Sequence, residues 1–170
     1  MAQDQRGLTL VELMISITIA SVVIGVLASA AILFFQHAFD NDKAYDDQAS
    51  VSTLQSAFVS DAQSATSVTT NDTSACGSAS TALVSFVWSD AGVTDKASWF
   101  VENNANRLGL VRRRCVNNQI VELNDIAGVQ PTPTVSCTPS CAVATTVTIN
   151  GTTTNGLTFS SIGTRRASAS

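Results

Sequence analysis

Glu12 is a carboxylate at the start of a run with no other Asp, Glu, Lys or Arg before Asp40. Held at bilayer depth, such a group costs about 2.5–3.5 kcal/mol or more, so it needs a partner. Cutting the chain after Gly7 would supply one. The new amino group on Leu8 would lie four residues before Glu12, the spacing that brings groups onto one face of a helix. That ammonium, on the same chain or on a packed neighbour, would neutralise the carboxylate. Gly7, Leu8 and Glu12 therefore point to chemistry done on the chain, with Glu12 then serving assembly.

The cysteines form the second set. Cys76, Cys115, Cys137 and Cys141 all lie on one side of the apolar run, in Ser/Thr-rich sequence. An even count beyond a membrane span favours two disulfides outside the cytoplasm over a four-thiolate zinc site, because Cys76 and Cys115 are isolated rather than paired in sequence. Of three possible connectivities, Cys76 with Cys115 and Cys137 with Cys141 is preferred; the first closes a long loop and would contribute roughly 3–4 kcal/mol.

Other candidates favour plainer roles. The Asp40-Asn41-Asp42 run with Asp46 and Asp47 lacks the turn Gly and terminal Glu of a calcium loop and is expected to be a solvated helix face. His37 is the only histidine and is expected at a membrane edge. Trp88, Trp99 and Phe100 are expected in the core. Strand alternation would send Arg113 to the face opposite Arg112 and Arg114, so the triplet is expected to be solvated or to pair between subunits rather than to form a DNA-binding patch. No nucleophile, metal cluster or acid/base pair stands out, so no enzyme activity and no cofactor are expected.

Charge and composition narrow the setting. The 170 residues carry 13% charged side chains, about half of what is usual in soluble domains, roughly 25%. Nine acids against two bases between Asp40 and Glu102 are followed by six Arg against two acids from Asn103 onward. The formal net charge of −4 makes nucleic acid an unfavoured partner, while the asymmetry leaves head-to-tail contacts between copies open.

Stepping along the chain, residues 13–36 are 24 positions without a formal charge, about 36 Å as a helix against about 30 Å of hydrocarbon. No Pro precedes Pro131, so one helix is expected from Leu8 to Ala65. In its second half Val51, Leu54, Phe58 and Ala62 recur at three- and four-residue steps, with Asp46, Asp47, Gln48, Gln55, Asp61 and Gln63 mostly on other faces. The cluster Ser64 to Ser80 reads as a loop. Strands are expected at 82–88, 97–102, 107–113 and 119–123 as a meander, with a stapled, irregular loop over 131–141 and a hairpin from 142–149 and 157–162. The fold class is α+β: a long helix whose carboxyl half packs on one antiparallel sheet of about four to six strands. The organisation is a leader (1–7), a membrane and assembly segment (8–36), an amphipathic segment (37–65) and a disulfide-bearing β-rich head (66–170).

The stretch RGLTLVELMISITIASVVIGVLASAAI resembles the leader and amino-terminal helix of type IV pilins and pseudopilins. A short polar leader ends in Gly7, an apolar Leu8 follows, and Glu12 falls at the fifth position after the cut. Leu8 replaces the commoner Phe, and no Pro interrupts the helix. The resemblance implies cleavage between Gly7 and Leu8 by a membrane-embedded prepilin peptidase, amino-methylation of Leu8, and pairing of Glu12 with the amino terminus of an adjacent subunit. It also implies other pilin or pseudopilin subunits and an inner-membrane assembly platform as partners, with membrane lipid around the helix before assembly. The chain would begin as a single-pass inner or cytoplasmic membrane protein with its head outside, and end in a pilus or secretion pseudopilus. The head length and LGLVRRRC resemble the minor-subunit branch that includes J-type pseudopilins. Competing readings are a secretory signal cut near Ala28-Ser29-Ala30, an uncleaved membrane-anchored binding module, and a subunit of a DNA-uptake filament.

Overall fold

A computed structural model describes residues 9–77, 80–90, 92–104 and 107–165. Helix α1 (Leu10–Ser64) is followed by strands β1 (Ser67–Asp72), β2 (Ala82–Asp90), β3 (Val93–Asn104), β4 (Arg107–Val116), β5 (Gln119–Gly128), β6 (Thr134–Thr138), β7 (Thr146–Thr152) and β8 (Thr158–Thr164). The chain divides into two compact units, Met1–Lys43 and Ala44–Ser170. Helix α1 begins in the first and ends in the second.

The fold is α+β, with a long amino-terminal helix packed on antiparallel sheet. Where one sheet was expected there are two, of five strands in the order β1-β2-β3-β4-β5 and three in the order β6-β7-β8. The extra strands explain the difference. Residues 67–72 pair with β2 rather than forming a loop; the turn-forming Asn and Asp hid an alternation whose inward residues are Val68 and Asp72. Residues 134–138 pair with β7 rather than staying irregular, because Pro131, Pro133 and Pro139 flank the strand without taking a ladder position inside it. A short 3-10 turn, Cys141–Val143, delays β7 to Thr146.

The core joins both sheets to the carboxyl part of α1. Leu54, Phe58 and Ala62 are fully buried with Phe86 and Trp99 of the larger sheet and Val147 and Ile149 of the smaller. The Phe58 ring meets Phe86 and Trp99 edge-on at centroid distances of 5.3 and 5.6 Å, an arrangement favoured by the ring quadrupoles. Gly163 of β8 lets the helix come close: a Cβ there would stand 2.3 Å from the Ala62 Cβ.

Two acids expected on other faces belong to this packing stripe, since positions 47, 51, 54, 58 and 61 follow three- and four-residue steps. Asp61 is 3% exposed and accepts hydrogen bonds from Trp99 Nε1 at 3.0 Å and from Arg112 Nε and Nη2 at 2.8 and 2.7 Å. Asp47 accepts from Thr153 Oγ1 at 2.6 Å and Asn155 Nδ2 at 3.0 Å, at the turn between β7 and β8. The stripe thus has a polar anchor near each end and an apolar middle.

The segment after β1 folds against the larger sheet. A disulfide joins Cys76 to Cys115, with both residues fully buried. The Cys76 N–H donates to Ser98 Oγ at 3.3 Å, and Arg113 donates to the Gly77 carbonyl at 3.2 Å. Lys96 donates to the Ser74 carbonyl and pairs with Asp72, both at 2.7 Å. Burial alone would raise the Asp72 pKa, but hydrogen bonds from Lys96, Ser85 and Ser74 outweigh it and hold the carboxyl down to about 2. The second disulfide, Cys137 to Cys141, closes a short loop at the end of β6.

These contacts predict two stability effects. Asp61→Ala leaves the Trp99 indole N–H without an acceptor and the buried Arg112 guanidinium with Glu122 as its remaining carboxylate, and is expected to cost about 3 kcal/mol, measured by urea unfolding of the full chain in detergent. The double replacement Asp61→Leu with Arg112→Met is expected to cost less than Asp61→Ala, because only the Trp99 indole N–H is then stranded and no buried guanidinium with it. Asp72 has a lower pKa folded than unfolded, so its stabilisation, of the order of 2 kcal/mol, is complete above about pH 4 and lost as pH falls toward 2. Asp72→Asn is therefore expected to be less stable than wild type near pH 6 and to approach it near pH 2, followed by denaturant midpoints across that range.

Candidate assembly site on the amino-terminal helix

The first turn of a helix leaves backbone N–H groups without intrahelical acceptors. Here Thr9 takes one of them: its hydroxyl accepts the Glu12 N–H at 3.3 Å, while its carbonyl accepts the first regular helical bond, from the Leu13 N–H at 3.1 Å. Thr9 is thus the cap, and Glu12 is the third residue of α1. A carboxylate is favoured at this positive end of the helix dipole. The Glu12 side chain is exposed and has no partner among the described residues.

Beyond Glu12 the helix is suited to a non-aqueous surrounding. Every large apolar side chain from Leu10 to Phe39 is more than half exposed, and the segment is long and apolar enough to cross a membrane. Its hydroxyls do not need water. Ser16, Thr18, Ser21 and Ser29 donate to the carbonyls of Glu12, Ile15, Thr18 and Gly25 at 2.8–2.9 Å. Such back-bonding leaves none of these four hydroxyls seeking a partner. Among the described residues of this surface, Glu12 alone combines exposure, charge and the lack of a partner.

The other sequence candidates fall elsewhere. Gly7 and Leu8 lie outside the described residues. The four cysteines are all in disulfides, and no cluster of metal-ligating side chains occurs among the described residues. His37 is exposed on α1, while Trp99 and Phe100 are fully buried. Trp88 is partly buried, with the Arg114 guanidinium 5.8 Å from its ring.

The arginine triplet departs from expectation, because each member pairs within the chain. Arg112 joins Asp61 at 2.7 Å and Glu122 at 3.0 Å, Arg113 joins Glu102, and Arg114 joins Asp95 at 2.9 Å. The hydrogen bonds to Asp61 raise the Arg112 pKa further, against the opposing effect of burial. Hydrogen bonds from Arg112 and Asn124 lower that of Glu122. Sequence spacing did reveal the alternation, but it contained no sign that Asp61, 51 positions before Arg112, would face it. Thr9 carries no charge or reactive group to mark it, although Thr followed three residues later by Glu is a capping pattern legible in the sequence.

Residues 3–28 match the family described as the prokaryotic N-terminal methylation motif. No curated protein and no solved structure matches the chain. The match covers the cap, Glu12 and the first part of the exposed apolar segment, and places a prepilin-type methylation motif at the amino end of an α+β protein.

Proposed function

We propose that the chain is a structural subunit of a type IV pilus-like filament or a type II secretion pseudopilus, without a catalytic site of its own. The observation that carries this reading is Glu12: an exposed carboxylate, without a partner among the described residues, at the third position of an apolar helix, inside the segment that matches the methylation motif. Processing after Gly7 by a prepilin peptidase would give Leu8 a free ammonium and a site for methylation. Before assembly, α1 would hold the chain in the membrane with the disulfide-bearing head outside. An assembly platform would then transfer it into a filament, where lipid contacts are exchanged for close van der Waals packing between helices.

Glu12 would set the axial register, because few offsets place it against the amino terminus of a neighbour. The minor-subunit branch is the narrower reading, supported by the resemblance of LGLVRRRC and of the head length. A DNA-binding role is less well supported, since Arg112, Arg113 and Arg114 are all engaged by carboxylates; phosphate recognition draws on free cations.

Intact-mass measurement of the chain from its native host is expected to show a start at Leu8 carrying one added methyl group. A start at Met1 or Ala31 would overturn the reading, the first in favour of an uncleaved anchored binding module. Glu12→Ala is expected to be cleaved yet nearly absent from sheared filaments, scored by immunoblot against unsheared cells. Incorporation at the wild-type level would rule out the register role.

A further inference from the structure

We propose that Asn155 is a self-modification site: its side-chain amide closes on the Gly156 backbone nitrogen and is lost as ammonia, and Asp47 sets how often it does so. Asparagine is prone to this reaction where glycine follows, because glycine has no Cβ to hinder the attacking nitrogen. The chain contains two such pairs, Asn150-Gly151 and Asn155-Gly156. The fold treats them differently. Asn150 lies in β7 opposite Thr134 on one side and Ser160 on the other, so ladder pairing pins its backbone. A Cβ on Gly151 would stand 2.6 Å from the Phe159 ring and 3.2 Å from Pro133, which shows how closely that backbone is covered. Asn155 and Gly156 are exposed in the turn between β7 and β8. Gly156 has a φ of +95°, with open space where a Cβ would be.

The reaction needs only water. The Gly156 nitrogen attacks the Asn155 side-chain carbonyl carbon, losing its proton as the new C–N bond forms, and the Asn155 amide nitrogen leaves with that proton as ammonia. Water then opens the cyclic imide at either carbonyl, leaving aspartate or isoaspartate. Two hydrogen bonds oppose the first step: the Gly156 N–H donates to the Thr153 carbonyl at 3.0 Å, and Asn155 Nδ2 donates to Asp47 Oδ1 at 3.0 Å. Asp47 supports both, because its other oxygen accepts from Thr153 Oγ1 at 2.6 Å. The turn must therefore leave α1 before it reacts, which puts the rate under the control of local opening. The product has the opposite relation to the helix. A carboxylate in place of the amide takes the donor from Asp47 and repels it, so a transient opening becomes a lasting one.

The test holds the full-length chain, in detergent, in mildly alkaline buffer and follows both asparagines over time by peptide mass mapping. Deamidation is expected at Asn155 ahead of Asn150. Asp47→Ala is expected to speed the reaction at Asn155 about tenfold, the equivalent of one hydrogen bond to a charged group, with Asn150 unchanged. Asp46→Ala removes a neighbouring exposed charge and is expected to leave both rates at the wild-type value. Asn155→Asp is expected to unfold at lower urea than wild type, and Asp47→Asn beside it to recover part of the loss by removing the like charge. Equal rates at the two asparagines of the wild type, a wild-type rate at Asn155 in Asp47→Ala, or acceleration of both sites in that variant overturns the proposal. A wild-type urea midpoint for Asn155→Asp overturns the claim that the opening lasts.

Discussion

The buried carboxylate of Asp61 is the constraint on which the head is organised. A carboxylate taken out of water is costly unless its lone pairs are met. Trp99 of β3 and Arg112 of β4 meet them with three hydrogen bonds. Those strands are neighbours in the larger sheet, and Trp99 lies directly opposite Arg112 in their register. A one-residue slip between β3 and β4 would carry one donor to the other face and strand a charge. Apolar packing alone tolerates such sliding better. Leu54, Phe58 and Ala62 supply the attraction between helix and sheets, and Asp61 narrows the ways in which they can be seated.

Helix α1 thus uses polar groups in two different manners. From Leu13 to Phe39, the hydroxyls fold back on the helix's own carbonyls, leaving an apolar exterior. From Ala44 onward, Asp47 and Asp61 point polar atoms outward to meet donors on strands and turns far along the chain. Both satisfy the same requirement that a polar group removed from water keep a partner. The first manner leaves the helix surface interchangeable among apolar neighbours. The second fixes a unique neighbour.

That difference explains what the sequence discloses. The helix, its apolar run, Glu12, the meander and the last hairpin are all local patterns, readable from spacing, absent prolines and turn residues. The spacing places Asp47 and Asp61 off the apolar stripe, because a carboxylate within an amphipathic pattern ordinarily lies on another face. Their partners are 38 to 108 residues away, and only the folded topology brings them together. β1 was obscured in the same way, since its inward positions include Asp72, whose burial makes sense only beside Lys96. β6 was obscured by prolines that flank it. Of the candidate site, the charge pattern exposes Glu12; the cap at Thr9 is equally local, but a hydroxyl bonded within its own helix carries no charge to mark it.

Commitment of charge inside the head also bears on what its exterior can recognise. Arg112, Arg113, Arg114 and Lys96 all face carboxylates, so freeing any of them for an outside anion would strand its acid. Meanwhile the outward side of the smaller sheet carries in-register rows Thr134, Asn150 and Ser160, then Ser136, Thr148 and Ile162, then Thr138, Thr146 and Thr164. None is charged. Threonine suits such a surface because its branched side chain fits the pleat while its hydroxyl remains hydrated. The head therefore separates its two needs: ion pairs order the larger sheet and its helix, and neutral hydroxyls keep the smaller sheet's exterior wet.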